Sequence, residues 1–189
     1  MKTRVLGTLA LFITLVCAGN AFALNIDFGT PIPPVLFTTP GQESAVPILL
    51  SNVPQDLVSL AFYVQYDPSI LLFDDWAAPS FPGAFPGMQF SEEPGLISVF
   101  ANQPVSLTFL PAAFHLTDLH FSAVGVGTGV VSFYQDTTHE ALGETLSGTP
   151  VEIVLGDPTS ISAVPEPATM LLLGPALGLL GLRRRFMRS

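Results

Sequence analysis

Two pairs of adjacent acids are the residues of this chain whose types could carry out catalysis. They are Asp74 with Asp75, and Glu92 with Glu93. Glycosidases use two carboxylates about 5 to 10 Å apart, one on either side of a sugar. Neighbours on one strand face opposite ways, so a catalytic pair would need Asp75 to meet Glu92 or Glu93 across a cleft. A secreted glycan-active hydrolase is therefore one hypothesis, although acids solvated in turns are the commoner arrangement.

The three histidines do not predict a metal site. His115 and His120 are five positions apart, which places them on opposite faces of a strand and argues against a shared ion. His139 stands beside Glu140 in a polar turn. The sequence has neither a calcium-loop spacing nor a Gly-x-Ser-x-Gly nucleophile motif. We therefore predict no catalytic residue, no metal site and no cofactor, and leave open only Ca²⁺ binding by the acidic surface.

Three aromatic residues are candidates for stacking on sugar rings. Trp76 directly follows the first acidic pair, and Tyr63 and Phe81 are close to it in the sequence. An aromatic ring offers a flat apolar surface, which either stacks on a ligand or fills a core. Core packing is the competing interpretation, above all for Phe81, which lies in a loop rich in Pro, Gly and Phe at residues 79–87.

The charge distribution excludes one class of partner. All fifteen Asp and Glu residues lie between Leu24 and Leu182, whereas the six Lys and Arg residues lie outside that segment. The segment has a formal charge of −15, with three histidines as its only possible cations. Nucleic-acid backbones are bound by Lys and Arg, so we predict no nucleic-acid partner. We also expect no salt bridge within the domain, which leaves apolar burial and backbone pairing to stabilise it.

Short apolar runs separated by proline and glycine predict an all-β fold. The clearest strand is at residues 57–66, where Leu60, Phe62 and Val64 alternate with smaller or more polar residues. Residues 45–51 are typical of an edge strand, because Pro47 has no N–H to donate. Further strands are predicted at residues 70–73, 96–101, 105–109, 114–124, 130–134 and 151–155.

This spacing of strands favours one architecture and sets the domain boundaries. About eight short strands with a turn about every ten residues are typical of a single antiparallel β-sandwich of the jelly-roll type. The sandwich is predicted to span residues 24–156. Residues 157–163, which begin with Asp157-Pro158, are predicted to be a linker.

Two segments of the predicted sandwich resemble a known family. Residues 46–53 read Val-Pro-Ile-Leu-Leu-Ser-Asn-Val, and residues 62–71 read Phe-Tyr-Val-Gln-Tyr-Asp-Pro-Ser-Ile-Leu. This order is similar to the opening strands of cohesin-type modules, and residues 121–133 resemble their later strands. The resemblance implies a cohesin-like sandwich. It covers strand motifs and no binding face, so it does not identify a dockerin partner.

The first 23 residues have the pattern of a secretory signal peptide. Lys2 and Arg4 precede an apolar run at residues 5–16, and Ala21 and Ala23 supply the small side chains that a signal peptidase reads. We predict cleavage after Ala23, which would leave a mature chain without cysteine and exclude thiol chemistry. Lipoprotein processing at Cys17 is the rival interpretation. The preceding residue would then be small, and here it is valine.

The C-terminal residues 164–189 combine a proline motif, an apolar stretch and a basic end. Pro165 and Pro167 flank Glu166 directly after Val164. Residues 168–182 are almost free of charge and would form a helix of about 22 Å, which crosses a membrane if the flanking side chains extend to its surface. The basic cluster, which predicts the cytoplasmic side, consists of Arg183, Arg184, Arg185 and Arg188.

This three-part tail resembles the PEP-CTERM sorting signal of Gram-negative bacteria. In that family the tail is recognised by the membrane peptidase exosortase, and its carriers are often linked to extracellular polysaccharide and biofilm. The resemblance implies an exported protein that is anchored in the inner membrane as a precursor and then reaches the cell surface or matrix.

Taken together, these features predict an exported, non-catalytic protein of the cell surface or extracellular matrix. Its sandwich would bind polysaccharide or another surface protein, and exosortase would be its processing partner. A plain C-terminally anchored spacer, with neither binding nor turnover, is the third hypothesis beside the hydrolase.

Overall fold

The computed structural model describes residues 23–38, 42–77, 85, 88–103 and 110–165. Within these residues the chain forms twelve β-strands. They are β1 Leu24–Phe28, β2 Val35–Phe37, β3 Glu43–Ser51, β4 Leu57–Tyr66, β5 Leu71–Trp76, β6 Gln89–Glu93, β7 Leu96–Asn102, β8 Ala113–Ala123, β9 Gly127–Tyr134, β10 Leu142–Thr145, β11 Ile153–Leu155 and β12 Thr159–Val164.

The strands form two sheets, which confirms the expected all-β sandwich. The five-stranded sheet has the order β11-β1-β3-β8-β5, and the seven-stranded sheet has the order β2-β12-β9-β4-β7-β6, with β10 paired to β4. Most neighbours are antiparallel, as expected. Two pairs depart from this: β1 with β11 and β2 with β12 are parallel. In each of them a strand from the start of the domain pairs with one from its end, so the two termini close the sandwich.

The core lies between the inward faces of the two sheets. Phe121 of the five-stranded sheet meets Tyr66 of the seven-stranded sheet edge to face, with ring centroids 5.4 Å apart. Phe28 of the five-stranded sheet and Phe133 of the seven-stranded sheet, both partly buried, stack with ring centroids 4.0 Å apart and pack against the core. Aliphatic side chains that alternate along each strand fill the space between these contacts. Apolar burial therefore provides stability in a segment that has no Lys or Arg for salt bridges.

Strand β4 runs from Leu57 to Tyr66, as its alternating pattern predicts, and β3, β5, β7, β8, β9 and β11 overlap the other predicted strands. The predicted strand at residues 105–109 lies outside the described residues. The pattern did not predict β1, β2, β6, β10 and β12. These five have at most six residues each, and their backbone partners are distant in sequence in most cases.

Strand β3 is not the edge strand that Pro47 predicts, because it lies between β1 and β8. Strand β1 ends at Phe28, and the next residue, Gly29, donates its N–H to the Pro47 carbonyl at 2.8 Å. A strand residue directs its N and its O toward the same neighbour. The missing N–H of Pro47 therefore falls where β1 has already ended, and an interior strand tolerates the proline.

The predicted linker at residues 157–163 is wrong, because most of it belongs to strand β12. This strand pairs with β9 on one side and β2 on the other. Its Ile161 and Ala163 side chains are buried. Asp157-Pro158 makes the segment look like a linker, but the apolar residues that follow alternate with serines and face the core. The sandwich therefore extends to Val164, without a spacer before Pro165.

The signal-peptide helix and the membrane helix at residues 168–182 lie outside the described residues. A search of the described residues for helices long and apolar enough to cross a bilayer found none.

Candidate functional site

One face of the sandwich has partly exposed aromatic side chains at an uncharged centre. It is the outer face of the seven-stranded sheet, where neighbouring strands place their outward residues side by side. We call it the Tyr63 face, and it consists of Ser59, Ala61, Tyr63, Gln65, Ser98, Phe100, Ser132, Tyr134 and Leu142.

The apolar members of the Tyr63 face are open to solvent. Phe100 of β7 is 41% exposed, and Leu142 of β10 is 61% exposed. Beside them lies a groove of about 310 Å³, whose walls include Ala61, Pro150 and the acidic Glu144. A single exposed leucine is ordinary on a protein surface, but a groove lined by several apolar side chains is a feature of binding sites.

A loop between β9 and β10 holds the aromatic part of this face in place. The ring of His139 lies edge-on to Tyr63, with centroids 4.8 Å apart, and contacts Tyr134 at 5.5 Å. Asp136 anchors the loop, because its carboxylate accepts hydrogen bonds from the backbone N–H groups of Thr138 and His139. The Tyr134 hydroxyl donates to the second Asp136 oxygen at 2.8 Å. Tyr134 at the end of β9 and three residues of the turn that follows, Asp136, Thr138 and His139, thus fix the position of the rings around Tyr63.

These hydrogen bonds shift the acidity of two groups. The Thr138 backbone N–H, with the hydroxyls of Thr138 and Tyr134, lowers the pKa of Asp136 well below its ordinary value. The hydrogen bond to this carboxylate raises the pKa of Tyr134. Asp136 therefore remains a carboxylate at every physiological pH, and the loop keeps its geometry.

Acidic residues lie at the margins of the Tyr63 face, and one of them, Glu144, also lines the groove. Glu93 of β6 pairs with Leu96 at one side, and Glu144 of β10 pairs with Ser59 at another. Asp136 lies in the loop that flanks Tyr134. The centre of the face is uncharged and partly aromatic while its rim is negative. Protein interfaces have the same distribution, with aromatic residues at the core and charged residues at the rim.

The acids proposed for catalysis have other partners. A β-bulge in β5 makes Asp74 an extra residue, so that Phe73 pairs with Phe121 and Asp75 with His120. Asp74 and Asp75 consequently lie on the same outer face of the five-stranded sheet. The expectation that adjacent strand residues face opposite ways is wrong here, because a bulge offsets the alternation.

Glu92 belongs to the other sheet and contacts a core residue. The hydroxyl of Tyr66 donates to its Oε1 atom at 2.8 Å. Burial of the phenol, followed by this hydrogen bond, raises the pKa of Tyr66. Asp75 instead lies 2.5 Å from Nδ1 of His120. Asp75 and Glu92 are thus bound to different partners in different sheets, which does not favour a shared catalytic role.

The histidines also differ from expectation. A second bulge, at Leu116 of β8, places His115 opposite Leu49 and on the same outer face as His120, so the predicted opposite faces are wrong. These two histidines contact different aspartates. His115 Nε2 lies 2.9 Å from Asp118 Oδ1, whereas His120 contacts Asp75. His139 lies 2.9 Å from Asp136. Each histidine therefore contacts an aspartate, and protonation would make each pair the salt bridge that the sequence led us not to expect.

Of the two sugar-stacking candidates that the structure describes, Tyr63 lies on an outer face and Trp76 does not. Trp76 stacks on Phe90 at 4.5 Å and packs against the core, so one of its faces is covered. Phe81 lies outside the described residues. A nearby core position is filled by Phe85, which is 1% exposed.

The predicted processing residues lie next to the first and last strands of the chain or outside the described residues. Ala23 immediately precedes β1, whose first residue, Leu24, is fully buried. Val164 is the last residue of β12, and its carbonyl accepts a hydrogen bond from the Thr38 N–H. Pro165 follows directly. Ala21, Glu166, Pro167 and the arginine cluster lie outside the described residues, so the cleavage and sorting assignments stay predictions.

Neither a protein-family model nor a curated protein matches this chain.

Several solved structures that share the fold are cohesin modules. The sixth cohesin of scaffoldin B from Acetivibrio cellulolyticus, solved with the Cel5 dockerin, is 18% identical at a TM-score of 0.59, and the match covers 77% of this chain and 100% of that one. The non-cellulosomal cohesin from Archaeoglobus fulgidus is 13% identical at a TM-score of 0.55, with coverages of 79% and 96%. A cohesin module from a Clostridium perfringens family 33 glycoside hydrolase is 12% identical at a TM-score of 0.58, and the match covers 76% of this chain and 98% of that one. At these identities the likeness shows the fold, and the expected cohesin-like sandwich is confirmed.

Proposed function

We propose that this chain is an exported, non-catalytic binding module that holds a partner protein through the Tyr63 face. The observation that carries the proposal is the uncharged, partly aromatic centre of this face in a domain whose formal charge is so negative. Burial of such a centre removes apolar surface from water without stripping water from a charge.

The rim indicates the chemistry of the partner. Glu93, Glu144 and Asp136 surround the face, so a partner with an apolar centre and a basic rim would complement it. Attraction between opposite rims increases the association rate and is screened by salt. The cohesin from Acetivibrio cellulolyticus was solved bound to a dockerin protein, which supports a protein partner as a class. The partner of this chain is inferred from the chemistry of its own face.

Variants on the two opposite faces test this proposal. Tyr63→Ala and Phe100→Ala alter the Tyr63 face, whereas Leu49→Ala and Leu72→Ala alter the outer face of the five-stranded sheet, where these leucines are 39% and 46% exposed. Each full-length variant is expressed in the native host with a photo-crosslinking residue at position 61. Crosslinked partners are then identified by mass spectrometry. The two pairs are matched, because each removes exposed apolar atoms from a sheet face.

We expect one partner protein to crosslink to the wild type and to the Leu49 and Leu72 variants, and its yield to fall at least about tenfold in the Tyr63 and Phe100 variants. Raised salt should slow its association. An equal yield from all four variants contradicts the proposal. Retention of the chain on host exopolysaccharide through Tyr63 and Phe100, without a crosslinked protein, would assign the face to polysaccharide instead. If the chain binds neither a protein nor polysaccharide, the result contradicts the proposal and supports the spacer hypothesis.

We also propose that the chain is exported and then processed at its C-terminal tail. The support is the order of its parts: Val164-Pro165-Glu166-Pro167, an apolar stretch and the arginine cluster. Because β12 ends at Val164, the motif begins where the sandwich ends, and the sorting peptidase would act at the border of the fold. Mass spectrometry should show that the C-terminal end of the native protein lacks the arginines only when the protein comes from cells with an active sorting peptidase. A variant in which Pro165, Glu166 and Pro167 are all replaced by Ala should not be processed. If it still loses the arginines, the peptidase does not recognise the motif.

A further inference from the structure

Three potential metal ligands converge on the outer face of the five-stranded sheet, opposite the Tyr63 face. They are Glu43 of β3, Asp75 of β5 and His120 of β8, and one ligand atom from each lies within 4.8 Å of the others. The Nδ1 atom of His120 lies 2.5 Å from Asp75 Oδ1 and 4.0 Å from Glu43 Oε2. The cluster therefore offers one imidazole nitrogen and two carboxylates to a common point.

The strand register explains the convergence. His120 lies on β8, between the other two strands, opposite Ala45 on β3 and opposite Asp75 on β5. The bulge at Asp74 turns Asp75 to the outer face, where regular alternation would have turned it to the core. Glu43 lies two residues before Ala45 and so points to the same face. The sequence gives no sign of this group, because its members are distant along the chain.

We propose that Glu43, Asp75 and His120 bind a divalent transition-metal ion, with Zn²⁺ as the representative ion. Tetrahedral Zn²⁺ is bound by His nitrogen and carboxylate oxygen at about 2.0 to 2.2 Å, which places its ligand atoms about 3.3 Å apart. The distances from His120 Nδ1 to Asp75 and to Glu43, 2.5 and 4.0 Å, lie on either side of that value, and the Glu43 and Asp75 ligand atoms lie within 4.8 Å of each other. Ca²⁺ and Mg²⁺ prefer six or more oxygen ligands, which these three residues do not supply.

Charge and exposure favour the binding of a cation. The segment that contains the cluster has no Lys or Arg, so no basic side chain competes for Glu43 and Asp75. The side chains of His120, Glu43 and Asp75 are 25%, 52% and 66% exposed, which leaves an ion access from solvent. Three protein ligands leave the fourth position of a tetrahedral ion for water or for a group from another molecule.

A bound ion would connect three adjacent strands. Strand β5 is at the edge of its sheet and pairs with β8 alone among the described strands. An ion shared by Glu43 and Asp75 would link β5 to β3 across β8. Since an unfolded chain does not hold these three groups together, the ion would stabilise the folded state.

The experiment uses the full-length chain, purified in a mild detergent and freed of metal with a chelator. Titration calorimetry measures the stoichiometry of Zn²⁺ binding, and thermal unfolding measures the shift in Tm. Co²⁺, which replaces Zn²⁺ in tetrahedral sites, reports the coordination by its visible absorption. The variants are His120→Gln and Glu43→Gln. His115→Gln is the matched control, because His115 lies on the same face and also contacts an aspartate, Asp118.

We expect one Zn²⁺ per chain, a higher Tm and a four-coordinate Co²⁺ spectrum. His120→Gln and Glu43→Gln should weaken Zn²⁺ binding by at least about 10-fold, and His115→Gln should leave it unchanged. The proposal is overturned by the absence of stoichiometric binding, or by equal binding in the His120 variant. It is also overturned if Ca²⁺ raises Tm as much as Zn²⁺ in all variants, which would indicate general screening of the acidic surface. Should the His120 variant fail to fold, Glu43→Gln decides, since Glu43 is half exposed.

Discussion

The hydroxyl of Tyr66 in β4 donates a hydrogen bond to Glu92 in β6, and β7 lies between these two strands. The Tyr66 ring is buried against Phe121 of the opposite sheet. One side chain thus joins the core to the edge of the seven-stranded sheet, and a carboxylate proposed for catalysis serves as its acceptor.

Replacement of Tyr66 by Phe should destabilise the protein by about 1 kcal/mol, because the ring stays in the core and only the hydrogen bond is lost. Glu92→Gln retains an acceptor oxygen and should cost less. Urea unfolding measures both, as a lower midpoint with an unchanged slope. Tyr63→Phe, on the outer face, is the control. An equal loss for Tyr63→Phe and Tyr66→Phe would show that the Tyr66–Glu92 contact contributes nothing specific.

The Asp136 network should make stability depend on pH only in the acid range. The folded state lowers the pKa of Asp136 below its ordinary 3.8, so the unfolded chain binds the proton more readily. The contribution is therefore complete above pH 3.8 and is lost as the pH falls through the lower, folded pKa. Asp136→Asn should lower the free energy of unfolding at pH 7, and this loss should become progressively smaller below pH 3.8. Glu140→Gln, in the same loop, is the control, and a pH-independent loss for Asp136→Asn would contradict the sign.

Two glycines with equally close neighbours should differ in their tolerance of alanine. A Cβ at Gly125 would lie 2.1 Å from the Ser69 carbonyl oxygen, and one at Gly156 would lie 2.1 Å from Asp27 Oδ1. The carboxylate can rotate away, but the backbone carbonyl belongs to the turn before β5. We expect Gly125→Ala to cost about 1 to 3 kcal/mol and Gly156→Ala less. Thermal unfolding checks this order, and the reverse order would show that the turn yields more readily than the side chain.

Truncations should reveal the end of the domain. A chain that stops after Gly156, the boundary predicted from sequence, lacks β12 and uncovers the buried Leu36 and Val131. A chain that stops after Pro165 keeps the strand. Burial of Ile161 alone is worth about 1.5 to 3 kcal/mol, so the shorter chain should have a much lower Tm or aggregate. Circular dichroism with heating compares the two, and equal Tm values would mean that β12 is dispensable.

The alternation of Leu60, Phe62 and Val64 along residues 57–66 was sufficient to predict β4 with its ends, and similar runs predicted most of the other long strands. The order of charges likewise determined an acid-only domain between two apolar ends. These properties depend on residues close together in the chain. Side-chain periodicity and composition therefore carry them without knowledge of the partner strands.

The candidate sites depended on tertiary structure, because they arise from strand pairing. Bulges at Asp74 and Leu116 turned Asp75 and His115 to the outer face, because a one-residue offset reverses the alternation of side chains on one side of the bulge relative to the other. Strand β12 pairs with β2 and β9, which are distant in sequence, and for this reason the local pattern predicted a linker there instead of a strand. Which strand faces became outer ones, and which acid met which histidine, followed from contacts that only the folded sandwich creates.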